Sequence, residues 1–404
     1  MKSNFTFIDL FAGCGGLSEG FYKQGFLPLS HVDHDHFSCK TLTIRLKHYG
    51  LNERKVNILK SDIKDKNIIK KIKKGINGRS VDVILGGPPC QSFSSLGRAK
   101  DDNAMKNDPR NYLFENYEKI LNHFNPFIFL FENVTGLTTA KFNNKKVIDV
   151  IKMRLGKNYN IINDTYKMIL NSCEYGVPQI RKRIFLIGIR KDINYDIKKI
   201  FSDIKKTHYT PDCKNNEKIK KKKFVTVRDA ISDLPPLKPG QGRPIIKYNK
   251  KLKNKYIKKI RKQKNLKLFD HVVRNHNLAD RKRFKEMSKN KWTFEELLKK
   301  KPQLRHKKQR VFKNSYVVQF WDKPARTIIS HLYKDGNQFI HPDYKQERTL
   351  TVREAARLQS FPDDFIFFGP RTEQFKQIGN AVPPLMAEQI AISLKKALKE
   401  IKDV

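Results

Sequence analysis

Cys90 directly follows two prolines, in Gly86-Gly-Pro-Pro-Cys-Gln-Ser-Phe-Ser94. Proline fixes its own backbone and offers no N–H, so the next side chain is held rigidly. The strand-like run Val81–Leu85 precedes the pair, which sets Cys90 at the carboxyl edge of a sheet. A thiol presented there is a candidate nucleophile; a small buried cysteine is the plainer alternative. Glu132-Asn-Val134 follows the apolar run Phe127-Ile-Phe-Leu-Phe131. A carboxylate at that strand end would lose part of its water, which raises its pKa and lets it hold a proton near neutrality. Capping a helix is its alternative use. Gln179-Ile-Arg-Lys-Arg183 leads into Ile184–Ile189. Alternate residues of an extended chain share a face, so Arg181 and Arg183 would point together toward a base or phosphate, or else line an exposed strand edge.

A second group of residues has the character of a nucleotide site. Phe5-Thr-Phe-Ile-Asp-Leu-Phe-Ala-Gly-Cys-Gly-Gly16 is a strand running into a glycine turn, where backbone can approach a ligand and a helix N-terminus follows. A tight structural turn would look similar. Asp33 lies at the end of the next strand, 17 residues past Gly16, where an acid suits ribose hydroxyls. Asp62 closes the third strand and suits an adenine amino group. The glycine pattern is not a full G-x-G-x-x-G, which points to a single adenosine moiety rather than a dinucleotide.

Such residues need a frame. Residues 1 to 190 alternate the runs Phe5–Phe11, Leu27–Val32, Val56–Leu59, Val81–Leu85, Phe127–Phe131 and Ile184–Ile189 with polar stretches of helical length. That rhythm predicts an α/β fold, a doubly wound, mostly parallel sheet with helices on both faces. From 191 to about 345 the rhythm is lost, which predicts a second, smaller, irregular basic domain. Thr351-Val-Arg-Glu354 is a capping-box pattern opening a helix, and residues 382–400 read as an amphipathic helix, so 346–404 is expected to return to the first domain. The 404 residues carry 84 Lys and Arg against 40 Asp and Glu, a net charge of +44. Residues 191 to 310 hold 39 basic and 12 acidic residues, the distribution of a nucleic-acid-facing segment. A lysine-rich A/T-biased genome would supply part of this without any partner. No apolar run approaches the roughly 20 residues of a membrane span, and the N-terminus lacks a signal-peptide pattern. The five cysteines, at 14, 39, 90, 173 and 213, include no pair at metal-ligand spacing. A cytoplasmic protein without a metal or disulfide framework is expected.

In order along the chain, Phe7-Ile-Asp-Leu-Phe-Ala-Gly-Cys-Gly-Gly16, Gly87-Pro-Pro-Cys-Gln-Ser-Phe-Ser94, Glu132-Asn-Val134, Gln179-Ile-Arg-Lys-Arg183, Arg348-Thr-Leu-Thr-Val-Arg-Glu-Ala-Ala-Arg-Leu-Gln359 and Gln377-Ile-Gly-Asn-Ala-Val-Pro383 resemble the motifs of the cytosine-5 DNA methyltransferases. The resemblance covers 5–190 and 345–395 and touches Pro324-Ala-Arg-Thr-Ile328. Asp33 stands where the family commonly has Glu, His34 where an aromatic often packs on adenine, and Ala381 where Ser is frequent.

The resemblance implies a Rossmann-like fold using S-adenosyl-L-methionine. Cys90 would be the nucleophile toward carbon 6 of a cytosine flipped out of duplex DNA. Glu132 would bond ring N3 and the amine, Arg183 would hold the O2 side, and Arg181 would support the pocket. Phe11, Gly13, Cys14, Gly15, Gly16, Asp33, His34, Asp62, Ile63, Gly87, Pro89, Leu113, Asn380, Ala381 and Val382 would form the cofactor site. Gln91, Ser94, Arg98, Arg110 and Thr327 would meet DNA. The chain would act as a monomer on nucleoid DNA, as a modification enzyme beside a restriction nuclease. An RNA cytosine methyltransferase and a non-catalytic DNA-binding regulator are the alternatives. The DNA sequence does not carry over, because the basic segment matches only at its end.

Overall fold

The computed structural model describes residues 5–51, 56–89, 113–142, 145–214, 221–248, 254–261, 267–305 and 315–403. The chain divides into two compact units. The first is Met1–Asn171, Lys182–Lys205 and Met386–Val404; the second is Ser172–Arg181 and Lys206–Leu385.

The first unit is built on the apolar runs. They form β1 (Thr6–Leu10), β2 (Leu27–Asp33), β3 (Asn57–Lys60), β4 (Val83–Gly86) and β5 (Ile128–Val134). Four short segments follow, β6 (Lys141–Phe142), β7 (Lys145–Lys146), β8 (Tyr159–Ile161) and β9 (Ile169–Asn171), and then the long β10 (Lys182–Arg190). One sheet takes the order β3-β2-β1-β4-β5-β10-β8, with β9 also on β10. The first five strands are parallel, whereas β10 runs antiparallel to β5, β8 and β9. The expected mostly parallel sheet is present. The three-residue strands β8 and β9 are too short for the sequence pattern to reveal.

Helices α1 (Gly16–Lys23), α2 (His36–His48), α3 (Ile68–Ile76), α4 (Leu113–Phe124), α5 (Val147–Leu155) and α6 (Ile197–Asp203) belong to this unit. In α3 the isoleucines at 68, 72 and 76 recur every four residues and are buried, while Lys70, Lys71, Lys73 and Lys74 face water. Tyr117 of α4 is buried in the core and reaches the carbonyls of Ile84 and Leu130 at 3.3 and 3.2 Å. Asp9 near the end of β1 is buried and accepts a hydrogen bond from the Ser18 hydroxyl.

The second unit is more regular than the sequence rhythm suggests. It contains α7 (Val227–Ile231), β11 (Gly242–Lys247), α8 (Lys255–Ile260), β12 (Lys267–Val272), α9 (Leu278–Asn290), α10 (Phe294–Lys300), α11 (Val352–Leu358) and α12 (Arg371–Asn380). Strands β11 and β12 form an antiparallel ribbon. Thr351 caps α11 through the expected reciprocal box with Glu354.

The expected return of 346–404 to the sheet differs from this division: residues up to Leu385 group with the second unit and only Met386–Val404 with the first. The physical reason is three arginines on and before α11, each no more than 1% exposed. Arg357 binds Asp233 and Asp363, both at 2.6 Å. Arg353 donates to the carbonyls of Phe269, Pro362 and Phe365. Arg348 forks onto both oxygens of Glu354 at 2.7 Å.

The last helix, α13 (Pro384–Lys402), carries the chain back. A Cβ on Gly20 would collide with the backbone of Ala387 and Glu388, so α1 and α13 touch at backbone distance. Ser393 donates to Ile200 O, and Lys402 pairs with buried Asp82 at 2.8 Å.

Two outcomes are expected. Arg357→Ala strips two buried carboxylates of their cation and should cost about 3–5 kcal/mol in chemical denaturation. Lys396→Ala breaks an exposed pair with Asp203 and should stay within about 0.5 kcal/mol. Equal losses would refute the dependence of the second unit on its internal charges. The second outcome concerns Asp9, whose pKa burial lifts from 3.8 to about 7, the Ser18 bond opposing and the Asp33 charge adding. Across that window the folded chain keeps a proton that the unfolded chain releases, so this group makes stability fall as pH rises. Denaturation of Asp9→Asn from pH 4 to 8 should show that part of the decline removed; parallel curves for both proteins would exclude it.

Candidate active site

The carboxyl end of β5 and the start of β10 bring Glu132 and Arg183 together within the first unit. Antiparallel pairing sets Phe185 opposite Glu132 and Arg183 opposite Val134. Glu132 Oε1 lies 3.2 Å from Arg183 Nε, with both side chains about nine-tenths shielded, at 13% and 14% exposure. Burial pulls the Arg183 pKa below the ordinary arginine value, and the Glu132 charge works against that. Gly87 closes the cluster: a Cβ there would lie 3.0 Å from Glu132 Oε2. Asn133, 4% exposed, donates from Nδ2 to Pro88 O at 3.0 Å. The backbone two residues before Cys90 is thus tied to the residue after Glu132. This role of Asn133 was not foreseen; its signal is a polar amide ending an otherwise apolar strand. Cys90, Gln91, Ser94, Arg98 and Arg110 lie outside the described residues.

The glycine turn folds as a series of left-handed residues, with φ of 58° at Phe11, 53° at Gly13 and 87° at Gly15. Asp33 organises it. One oxygen accepts from Gly13 N and the other from Asp35 N, both at 2.8 Å. Burial pushes the Asp33 carboxyl above its usual range, against the lowering effect of those two N–H groups. Phe11 and Gly13 are partly exposed, and a Cβ on Gly13 would meet no atom within 4 Å. Cys14, Gly15 and Gly16 are buried. Burial raises the Cys14 pKa far above its normal value, so this thiol stays protonated. The position of Gly15 is set by packing, since a Cβ would come within 2.6 Å of Leu42 Cδ2.

Other expected cofactor residues fall in varied surroundings. His34 is 80% exposed, and Asp62 is exposed and accepts from Lys64 N at 2.9 Å. Ile63 and Leu113 are buried in the core cluster beneath the sheet ends, and Pro89 is half-buried. Asn380, Ala381 and Val382 belong to the second unit, where Ala381 O accepts from Gln359 Nε2 at 2.8 Å.

Arg181 also belongs to the second unit, one residue before β10 begins at Lys182. Its guanidinium is 1% exposed and donates to Ile328 O at 2.7 Å and Gly379 O at 3.0 Å. Gln179 is equally buried, bonding Leu358 O, the Gln359 side chain and Ile328 N. Thr327 donates its hydroxyl to Ile180 O at 2.7 Å. Among the described residues no set of three or more His, Cys, Asp or Glu could hold a metal, and no helix is long and apolar enough to cross a membrane.

Comparison with known proteins supplies the family. A type II methyltransferase of Bacillus paralicheniformis is 31% identical over 96% of this chain and 98% of its own length. The type II methyltransferase M.DdeI of Desulfomicrobium norvegicum is 34% identical over 95% of this chain and 87% of its own. A solved structure described as a DNA modification methyltransferase encoded within an E. coli prophage superposes with a TM-score of 0.69 at 25% identity, covering 98% of this chain and all of that one. The family model for C-5 cytosine-specific DNA methylases matches residues 5–396. The chain, with its glutamate and arginine paired at the sheet's carboxyl edge, belongs to the C-5 cytosine-specific DNA methylases.

Proposed function

We propose that this DNA cytosine-5 methyltransferase uses S-adenosyl-L-methionine, acts on a cytosine swung out of duplex DNA, and serves as the modification enzyme of a type II restriction system. The observation that carries the chemistry is the Glu132–Arg183 pair beside a Pro88 carbonyl fixed by Asn133. Carbon 5 of cytosine is a poor nucleophile until the ring is activated. Cys90 thiolate adds to carbon 6, forming an S–C bond, while Glu132 delivers or shares a proton at N3 and so neutralises the charge that develops. Arg183 keeps Glu132 in place and offers N–H groups to the O2 side. Once carbon 5 carries the methyl group, loss of its proton and departure of the Cys90 sulfur restore the aromatic ring. The reacting carbons are unreachable in a stacked duplex, so the base must leave it.

The glycine turn fits the cofactor. It is open at Gly13 and organised by an anionic side chain, Asp33, that retains acceptor capacity for ribose hydroxyls. Phe11, Gly13 and Gly87 would line that side. When bound, S-adenosylmethionine supplies an electrophilic methyl group. The type II restriction role follows the names of the relatives, and the net charge of +44 supports a polyanionic substrate.

The test is transfer of labelled methyl from S-adenosylmethionine to duplex DNA, with transfer RNA as the competing substrate. Label appearing in RNA alone would defeat the reading. A duplex with 5-fluorocytosine at the target should trap the wild-type protein, because fluorine blocks the final elimination. Cys90→Ser should give no adduct, and a persisting adduct would remove Cys90 from its role. Glu132→Gln should lower the rate of the chemical step strongly while cofactor affinity stays within about threefold. Asp33→Ala should do the reverse, weakening cofactor binding by roughly 1.5–3 kcal/mol, the worth of a hydrogen bond to a charged group. Calorimetry showing unchanged affinity in Asp33→Ala would exclude the ribose contact.

A further inference from the structure

Residues Ala325–Ile328 of the second unit are held through their backbone on every side. Ala325 N donates to Pro178 O at 2.8 Å, and Ala325 O accepts from Ile180 N at 2.9 Å. Arg326 N donates to Gln319 Oε1 at 3.2 Å. Ile328 N donates to Gln179 Oε1 at 2.6 Å, and Ile328 O receives the buried Arg181 guanidinium at 2.7 Å. Gly379 lets the following backbone, Ile329 and Ser330, press against α12 with no room for a Cβ. A segment pinned this fully presents its side chains in fixed directions.

Two side chains matter here. Thr327 was expected to meet the DNA backbone. Its hydroxyl here donates to Ile180 O at 2.7 Å. Arg326 differs from several buried arginines of the second unit. Arg181, Arg274, Arg348, Arg353 and Arg357 all hold carbonyl or carboxylate oxygens. The guanidinium of exposed Arg326 has no acceptor among the described residues.

We infer that Arg326 is a phosphate-binding residue, gripping a backbone phosphate of bound DNA from this rigid platform. Neighbouring groups strip part of the water from its guanidinium, which lowers its pKa from the ordinary arginine value. A cation in that condition gains most from a full negative charge. A phosphate carries one and a guanine edge does not. The inference rests on the DNA-methylation reading above and names a contact within it.

The test uses the full-length protein and two duplexes, one with the target site mapped by bisulfite sequencing of DNA from expressing cells and one with that site scrambled. Fluorescence anisotropy across a salt series gives affinity and its log–log slope. Arg326→Ala should weaken both duplexes by a similar several-fold factor and reduce the slope by about 0.9, the loss of one phosphate contact. Arg326→Lys, which keeps the positive charge, should restore the slope. An unchanged slope would overturn the inference. So would weakening confined to the target duplex with methylation of new sequences, which would make Arg326 a base reader. Arg326→Gln gives the same slope reading if the alanine protein does not fold. Failure of wild-type protein to methylate any duplex would instead sink the functional reading, so the two failures are separable.

Discussion

A carboxylate shielded from water needs a fixed cation beside it, and the ends of β5 and β10 meet that need. Glu132 and Arg183 can meet only because β10 runs antiparallel to β5, so the chain enters the sheet at Arg183 just where β5 leaves it at Glu132. A parallel strand would have put its first residues at the opposite edge. The same carboxylate lies close to position 87, where a Cβ would come 3.0 Å from Oε2. Asn133 then uses the neighbouring position to fix the Pro88 carbonyl. Carboxylate, cation and the approach to the cysteine therefore depend on one another through three adjacent strand ends.

The second unit solves a different problem with similar chemistry. Its interior holds arginines rather than only apolar side chains, and these donate to backbone carbonyls or carboxylates. Such pairs add little over well-packed apolar residues, but they are costly to break once formed. Their directional bonds join segments that are remote in sequence, for instance Arg357 to Asp233 and Arg181 to Gly379. They also qualify the meaning of the net charge. Some of the 84 basic residues, such as Arg348 and Arg357, are paired inside with carboxylates and are largely neutralised there. Arg326, by contrast, is exposed.

Much of the first unit was legible because long apolar runs and glycine turns are local signals. The strands beginning at Thr6, Leu27, Asn57, Val83 and Ile128 sit where the β-branched and aromatic runs place them. Glu132 and Arg183 were recognisable because each ends or begins such a run. What was not legible is non-local. The ownership of residues 346–385 is decided by guanidinium bonds to partners over 100 residues away, which no periodicity reports. Arg181 stands one residue before β10, and the carbonyls it meets lie 147 and 198 residues away. Asn133 and Gln179 carry structural hydrogen bonds whose partners could not be guessed from spacing. Their amides are versatile donors and acceptors, so residue type alone leaves the partner open.

The backbone contact between Gly20 and Ala387 has a consequence for how the molecule is made. A ribosome delivers α1 more than 360 residues before the segment that packs on it, and the whole second unit emerges in between. Until residue 402 has been synthesised, Asp82 lacks its lysine and the outer side of α1 lacks its cover. The nascent sheet must therefore wait, incomplete, while its neighbour folds. Closure between such distant stretches carries a loop-entropy cost and is slow relative to local folding. A chain released early would retain most of its motifs while its first unit could not close, so a truncated product is expected to be cleared by proteases rather than persist as a partial methylase.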